Sequence, residues 1–209
     1  MISPRLAEFA DDIDNNCVGA GNRITSGTLD TVAFARITGK GPTALGISVD
    51  GAGDVDGDEI DDVILGSFGD DSTKAGAICM MRGPFSGDVS ASTAELRLVS
   101  EVGSDGAGYC VAGIGDFDGD ELGDLAVGAY GNSMHGSGAA YISLGTARGK
   151  LGLGSVEARV YNDFSGAASV YTAGAGGDVD GDGFLDVLVG GDGANGGLGT
   201  VWVVLSPGF

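Results

Sequence analysis

The chain has 209 residues, 43% hydrophobic and only 7% aromatic, with 42 glycines and a formal net charge of −20. That many glycines argue against a helical bundle, since Gly costs about 1 kcal/mol relative to Ala inside a helix. The acidity argues against nucleic acid, whose recognition needs a basic face. The apolar content is too high for a disordered acidic chain, and 24 Asp against 6 Glu suits turns and hard-cation sites better than solvated helices.

Residues 1–30 fit none of the patterns that follow and read as an N-terminal arm, cap or linker. Glu8, Asp11 and Asp12 interrupt the apolar core that a signal peptide needs, so the expectation is either a mature chain without one or a chain whose fate is not secretion. Asp11, Asp12 and Asp14 resemble a degraded metal loop with the wrong spacing. No apolar run approaches the roughly 20 residues of a membrane span.

From residue 31 onward the sequence repeats. Three nine-residue segments share the pattern D-x-D-G-D-x-x-x-D: Asp54–Asp62, Asp116–Asp124 and Asp178–Asp186. Their starts are spaced by 62 residues both times. Each is preceded by a small-residue strand, as in 45–49 and 108–112. Each is followed by an apolar run ending in Gly (63–66, 125–128, 187–190) and then by a Gly-led strand (76–81, 138–144, 199–205). A further alternating stretch follows in two units, at 94–99 and 157–161. Short apolar runs punctuated by Gly and Asp are strands. Each unit therefore reads as four strands, A to D, with the Asp loop joining A to B.

The expected fold class is all-β: three four-stranded antiparallel propeller-type blades, spanning about 43–101, 105–162 and 167–205 within a domain of residues 31–209. Residues 33–37 match the D strands, with Arg36 in the place of Arg97 and Arg159. The strand phase is then D-ABCD-ABCD-ABC. The D strand at 31–38 is the one the last blade lacks, so self-association through 31–38 and the last blade is expected, as a ring or a filament. The other reading is a fragment of a larger propeller.

The loops carry the chemistry. Carboxylates at positions 1, 3 and 5 converge on one cation if the chain turns sharply, and the Gly at position 4 (Gly57, Gly119, Gly181) permits that turn. A carbonyl at position 7 and a carboxylate at position 9 can close the shell. An all-oxygen, multiply charged set selects Ca²⁺, which takes about 6–8 oxygens in flexible geometry. Zinc would call for His or Cys, and the one His, His135, is distant in sequence from every loop. An EF-hand needs Glu at position 12, where these loops have Leu65, Val127 and Val189. Without a cation the carboxylates repel one another, so three calcium sites coupled to folding are expected. Cys17, Cys79 and Cys110 have no C-x-x-C spacing, leaving buried thiols or one disulfide plus a free thiol open.

The order of small-residue strand, D-x-D-G-D-x-x-x-D loop, apolar run and Gly-Ala strand resembles the FG-GAP repeats of integrin α-type propellers and their bacterial relatives, over residues 31–205. The Phe-Gly half is degenerate here (Leu45-Gly46, Gly108-Tyr109), and position 6 is Glu in two loops, Glu59 and Glu121, where the family commonly has Gly. The resemblance implies calcium ligands Asp54, Asp56, Asp58, Asp62 and the Ile60 carbonyl in the first loop. In the second it implies Asp116, Asp118, Asp120, Asp124 and the Leu122 carbonyl. In the third it implies Asp178, Asp180, Asp182, Asp186 and the Phe184 carbonyl. It also implies a non-enzymatic, extracellular or cell-surface role in structure or adhesion, with a protein or glycan ligand, or an accessory role beside a secreted enzyme. No phosphate loop and no nucleophile–base motif points to catalysis, and catalytic residues are expected to be none. The acidity also suits adaptation to high salt.

Overall fold

The computed structural model describes residues 28–40, 43–67, 76–101, 103, 105–132, 138–161, 170–192 and 198–207. The N-terminal arm up to residue 27, Cys17 and His135 lie outside the described residues. One helical turn, Leu29–Val32, precedes β1 (Ala35–Thr38). The expected strand 31–38 is therefore shorter, because its first residues are taken by that turn.

Blade 1 consists of β2 (Val49–Gly53), β3 (Asp62–Ser67), β4 (Ala77–Met81), the connecting strand β5 (Gly87–Ser90) and β6 (Leu96–Val99). Blade 2 repeats this with β7 (Ala107–Gly115), β8 (Asp124–Ala129), β9 (Ala139–Ser143), β10 (Gly149–Gly152) and β11 (Ala158–Tyr161). Blade 3 has β12 (Val170–Gly177), β13 (Asp186–Gly191) and β14 (Thr200–Val204). Within each blade the A, B, C and, where present, D strands pair antiparallel in that order. The fold is all-β and built of propeller-type blades, as the repeat predicts.

Two features depart from the expectation. The A strand of blade 1 runs over 49–53 rather than 45–49. Ala44 and Gly46 take positive φ of 49° and 90°, which breaks a regular strand there, although Gly46 N–H still donates to the Gly66 carbonyl at 2.9 Å. The C-to-D connections also form strands of their own. β5 and β10 lie parallel to the preceding D-type strand, β1 and β6 respectively. The register is the same in both: Ala35 faces Gly87 as Leu96 faces Gly149. β1 thus stands to blade 1 as β6 stands to blade 2. It is a D-type strand whose own A, B and C strands are absent among the described residues.

The core lies between blades. Val55, Ile64, Ile78, Met80, Leu96 and Leu98 of blade 1 pack against Val111, Leu125, Val127 and Tyr141 of blade 2. Ile114, Phe117, Ala140 and Ile142 of blade 2 pack against Val170, Val187 and Val189 of blade 3. A strand that is buried on both faces reads as a continuous apolar run, which is why β4, β8 and β9 are buried at every position. Glycine allows the blades this close: a Cβ at Gly113 would run into the Gly51 backbone of the neighbouring blade. Cys79 is buried, with an Arg97 guanidinium nitrogen 3.9 Å from its sulfur, and Cys110 is half-buried, its thiol donating to the Ala173 carbonyl at 3.4 Å.

Candidate metal centres

Each Asp loop is shaped by its own carboxylates. The first Asp takes the backbone amides of positions 4 and 5 on Oδ1: Gly57 and Asp58 at 2.7 and 3.1 Å, Gly119 and Asp120 at 2.7 and 3.0 Å, Gly181 and Asp182 at 2.6 and 3.1 Å. Its Oδ2 takes the amide of position 6, from Glu59 at 2.7 Å, Glu121 at 3.0 Å or Gly183 at 3.0 Å. Position 5 accepts from the amide of position 7 at 2.9 Å in every loop. The turn puts position 4 at φ of 81°, 81° and 83°, and position 6 at 65°, 69° and 96°. Both are left-handed values that favour Gly. This accounts physically for a Gly at position 6, where this chain places Glu twice.

The ninth residue is a clip. Asp62, Asp124 and Asp186 are buried. One oxygen of each accepts the amide of loop position 2, from Val55 at 3.1 Å, Phe117 at 2.7 Å or Val179 at 2.7 Å. The other accepts an amide from just beyond the C strand, from Gly83 at 2.8 Å, Gly145 at 2.7 Å or Ser206 at 2.9 Å. One side chain thereby fixes the loop's start and the exit of the C strand. The spacing pointed to a ligand at this position; its two amide partners are visible only in three dimensions.

The carboxylates do converge. Oxygens from Asp54, Asp56 and Asp58 lie within 4.8 Å of one another, as do oxygens from Asp116, Asp118 and Asp124, and from Asp178, Asp180 and Asp186. Two ligands on one Ca²⁺ are at most about 5 Å apart, given Ca–O distances of about 2.3–2.6 Å, so these all-oxygen groups fit that ion. Among the expected ligands, Asp62 falls outside the first group, Asp120 outside the second and Asp182 outside the third. The electrostatics agree with crowded charge. Burial pushes the Asp124 carboxyl up to about 6, with Asp118 and Asp120 adding to the rise against the amides of Phe117 and Gly145. Burial, then the charge of Asp120, raises Asp118. Burial likewise raises Asp62, helped by Asp58 and Asp54. Asp54 goes the other way: burial would raise it, but the amides of Glu59, Gly57 and Asp58, together with the charge of Arg82, hold it below its ordinary value.

Arg82 is the residue that sequence reading missed. It follows β4, and its guanidinium contacts Asp56 through Nε and lies 3.8 Å from Asp58 through Nη2. The corresponding residues after β9 and β14 are Leu144 and Leu205. A cation in one repeat where the others carry Leu is a signal that the aligned repeats contain.

No helix among the described residues is long and apolar enough to cross a membrane. Compared with known families, residues 162–204 match the FG-GAP repeat, which spans the three strands and the Asp loop of blade 3. A comparison with curated proteins finds no match. Blade 3 is thus similar to an FG-GAP repeat, and blades 1 and 2 share its loop pattern at the 62-residue interval. The chain is a propeller-type repeat domain.

Proposed function

We propose that this FG-GAP repeat chain is a non-enzymatic, calcium-stabilised structural or adhesion module that works outside the cell and associates with a second copy of itself. The observation that carries the calcium reading is the in-register recurrence of three convergent carboxylate groups. Side chains of Asp54, Asp56, Asp58 and Asp62, of Asp116, Asp118, Asp120 and Asp124, and of Asp178, Asp180, Asp182 and Asp186 would hold the ions, with the Ile60, Leu122 and Phe184 carbonyls. The bound ion would balance the charge of the carboxylates that converge in each loop. Thermal melts with calcium and with EGTA test this: a melting temperature that does not change removes the calcium reading.

Self-association is supported by a contrast in burial. Val55, Ile78 and Met80 of blade 1, at 0, 1 and 1% exposure, are covered by blade 2, and Phe117, Ala140 and Ile142 of blade 2, at 7, 1 and 2%, by blade 3. Their counterparts in blade 3, Val179, Val201 and Val203, are 55, 66 and 47% exposed. At the opposite end Val49 of blade 1 is 62% exposed. The two end faces are of the kind that pack together twice inside the chain. Among the described residues β1 has one edge on β5 and the other open, and β14 has an open outer edge. In the register of the other blades, β1 of a second copy would lie antiparallel on β14 with Ala35 opposite Val203 and Arg36 opposite Trp202. Arg97 faces Cys79 and Arg159 faces Tyr141 in that way, and Arg over Trp is a favourable cation–π pair. Closed propellers have about 4–8 blades, and six is the multiple of three in that range, so a closed ring is a dimer. Light scattering in calcium should give twice the 20.6 kDa chain mass, and Val201→Lys should halve it. A monomer in calcium overturns the assembly and favours the second reading, blades that serve inside a longer propeller.

A further inference from the structure

We infer that Arg82 is a built-in counter-ion of the first loop, which makes the three calcium sites unequal and leaves loop 1 to fill last. The inference rests on the calcium reading and goes beyond it, because that reading treats the loops as equivalent.

Three observations carry it. The Arg82 guanidinium contacts Asp56 and approaches Asp58, two of the three residues whose oxygens converge in loop 1. The Asp56 side chain is only 4% exposed, so its charge is poorly solvated and a guanidinium beside it is strongly favoured. The other two loops have Leu144 and Leu205 at this position, and their convergent groups include the clip residues Asp124 and Asp186, whereas the group in loop 1 leaves out Asp62. The second nearby cation does not compete. Arg148 donates to the Val55 carbonyl at 3.3 Å and to the Ala147 carbonyl at 2.7 Å, and lies 3.7 Å from Glu95.

The physical consequence has two signs. Without metal, Arg82 offsets the repulsion among the loop 1 carboxylates and helps to hold that loop folded. With metal, Ca²⁺ must displace the guanidinium from Asp56 or share the carboxylate with it, and the pairing is lost or weakened. Loops 2 and 3 have no such competitor among the described residues. The blade that carries β1 is thus the least dependent on calcium for its fold and the last to take it up.

The test is calorimetric titration of calcium chloride into EGTA-stripped, buffer-exchanged full chain at constant ionic strength, for the wild type and for Arg82→Leu. Leucine is the residue that the other two blades tolerate at this position. The wild type is expected to show two tight sites and one weaker site. In Arg82→Leu the weak site should tighten about tenfold, the factor that corresponds to about 1.4 kcal/mol, and merge with the others. Thermal melts give a second readout: the variant should melt lower than wild type in EGTA and not lower in saturating calcium, whereas a merely structural arginine would lower both. Arg82→Lys, which keeps the charge, should keep the two classes and guards against a misfolded leucine variant. Three equal wild-type sites, or a weak site that Arg82→Leu leaves unchanged, would overturn the inference while leaving calcium binding intact. No binding by either protein would remove the calcium reading itself.

Discussion

Replacing Asp124 with Ala tests whether the ninth loop residue acts as a clip as well as a candidate ligand. The side chain is fully buried and accepts two backbone amides, from Phe117 and Gly145, both at 2.7 Å. Alanine leaves both donors without a partner in a place that water reaches poorly, at about 1–3 kcal/mol each. Part of that is offset, because the lost carboxyl is one that burial already pushes up to about 6. A net loss of about 2 kcal/mol corresponds to a fall of about 4–8 °C in melting temperature for a domain of this size. Asp124→Asn should also destabilise, since its amide group presents N–H to one of the two backbone N–H donors. The assay is thermal melting followed by circular dichroism in EGTA, where the clip acts alone, and again in calcium, where loss of a ligand should widen the gap. Asp61→Ala, at the exposed position beside the equivalent clip residue Asp62 of blade 1, should stay within about 0.5 kcal/mol of wild type. If Asp124→Ala melts with wild type in EGTA, the two amide contacts carry no weight and the clip reasoning fails.

Other outcomes follow from the same geometry. The folded-state carboxyl of Asp124, at about 6, lies above its ordinary value of about 3.9. Its contribution to the stability of the metal-free protein is therefore greatest at low pH and is lost as pH rises through about 4 to 6. Calcium affinity at loop 2 should fall as pH drops below about 6, because the ion must then displace a proton; titrations at pH 5 and 7.5 with equal affinities would contradict this. Glu121→Gly relieves a residue at φ 69° and should be neutral or stabilising by up to about 1 kcal/mol, whereas Gly183→Ala, at φ 96°, should cost about as much; denaturant midpoints distinguish the two signs. Gly113→Ala drives a methyl into the Gly51 backbone across the interface of blades 1 and 2 and should cost more than about 2 kcal/mol, which an unchanged melt would refute.

The blades and the Asp loops were legible in the sequence because each rests on a local requirement. A Gly at position 4 and alternating carboxylates specify the turn within nine residues, and apolar runs bounded by Gly specify the B and C strands. The parallel strands β5 and β10 were not legible. Their residues, Gly87–Ser90 and Gly149–Gly152, show no apolar run and are mostly exposed, and what makes them strands is the edge of the preceding D-type strand, some 50 residues away in the chain. The first A strand was placed too early: Leu45-Gly46-Ile47-Ser48 has strand-like composition, but Ala44 and Gly46 take left-handed φ, a backbone choice that composition does not reveal.

The ninth Asp shows why loop, blade and interface belong to one argument. As a ligand it would bind the ion, and as a clip it ties loop position 2 to the exit of the C strand. The residue at loop position 2 is Val55, Phe117 or Val179, and in blades 1 and 2 it is buried against the next blade. Charge at the loop is thereby linked to the position of an apolar side chain at a blade interface through a single carboxylate. An ion that relieves the repulsion among the loop acids therefore also steadies the surface on which the next blade packs. In blade 3 that surface carries Val179, Val201 and Val203 in the open. Calcium should accordingly favour association of two chains without touching the residues of the contact, and the association should weaken on chelation even where each blade remains folded.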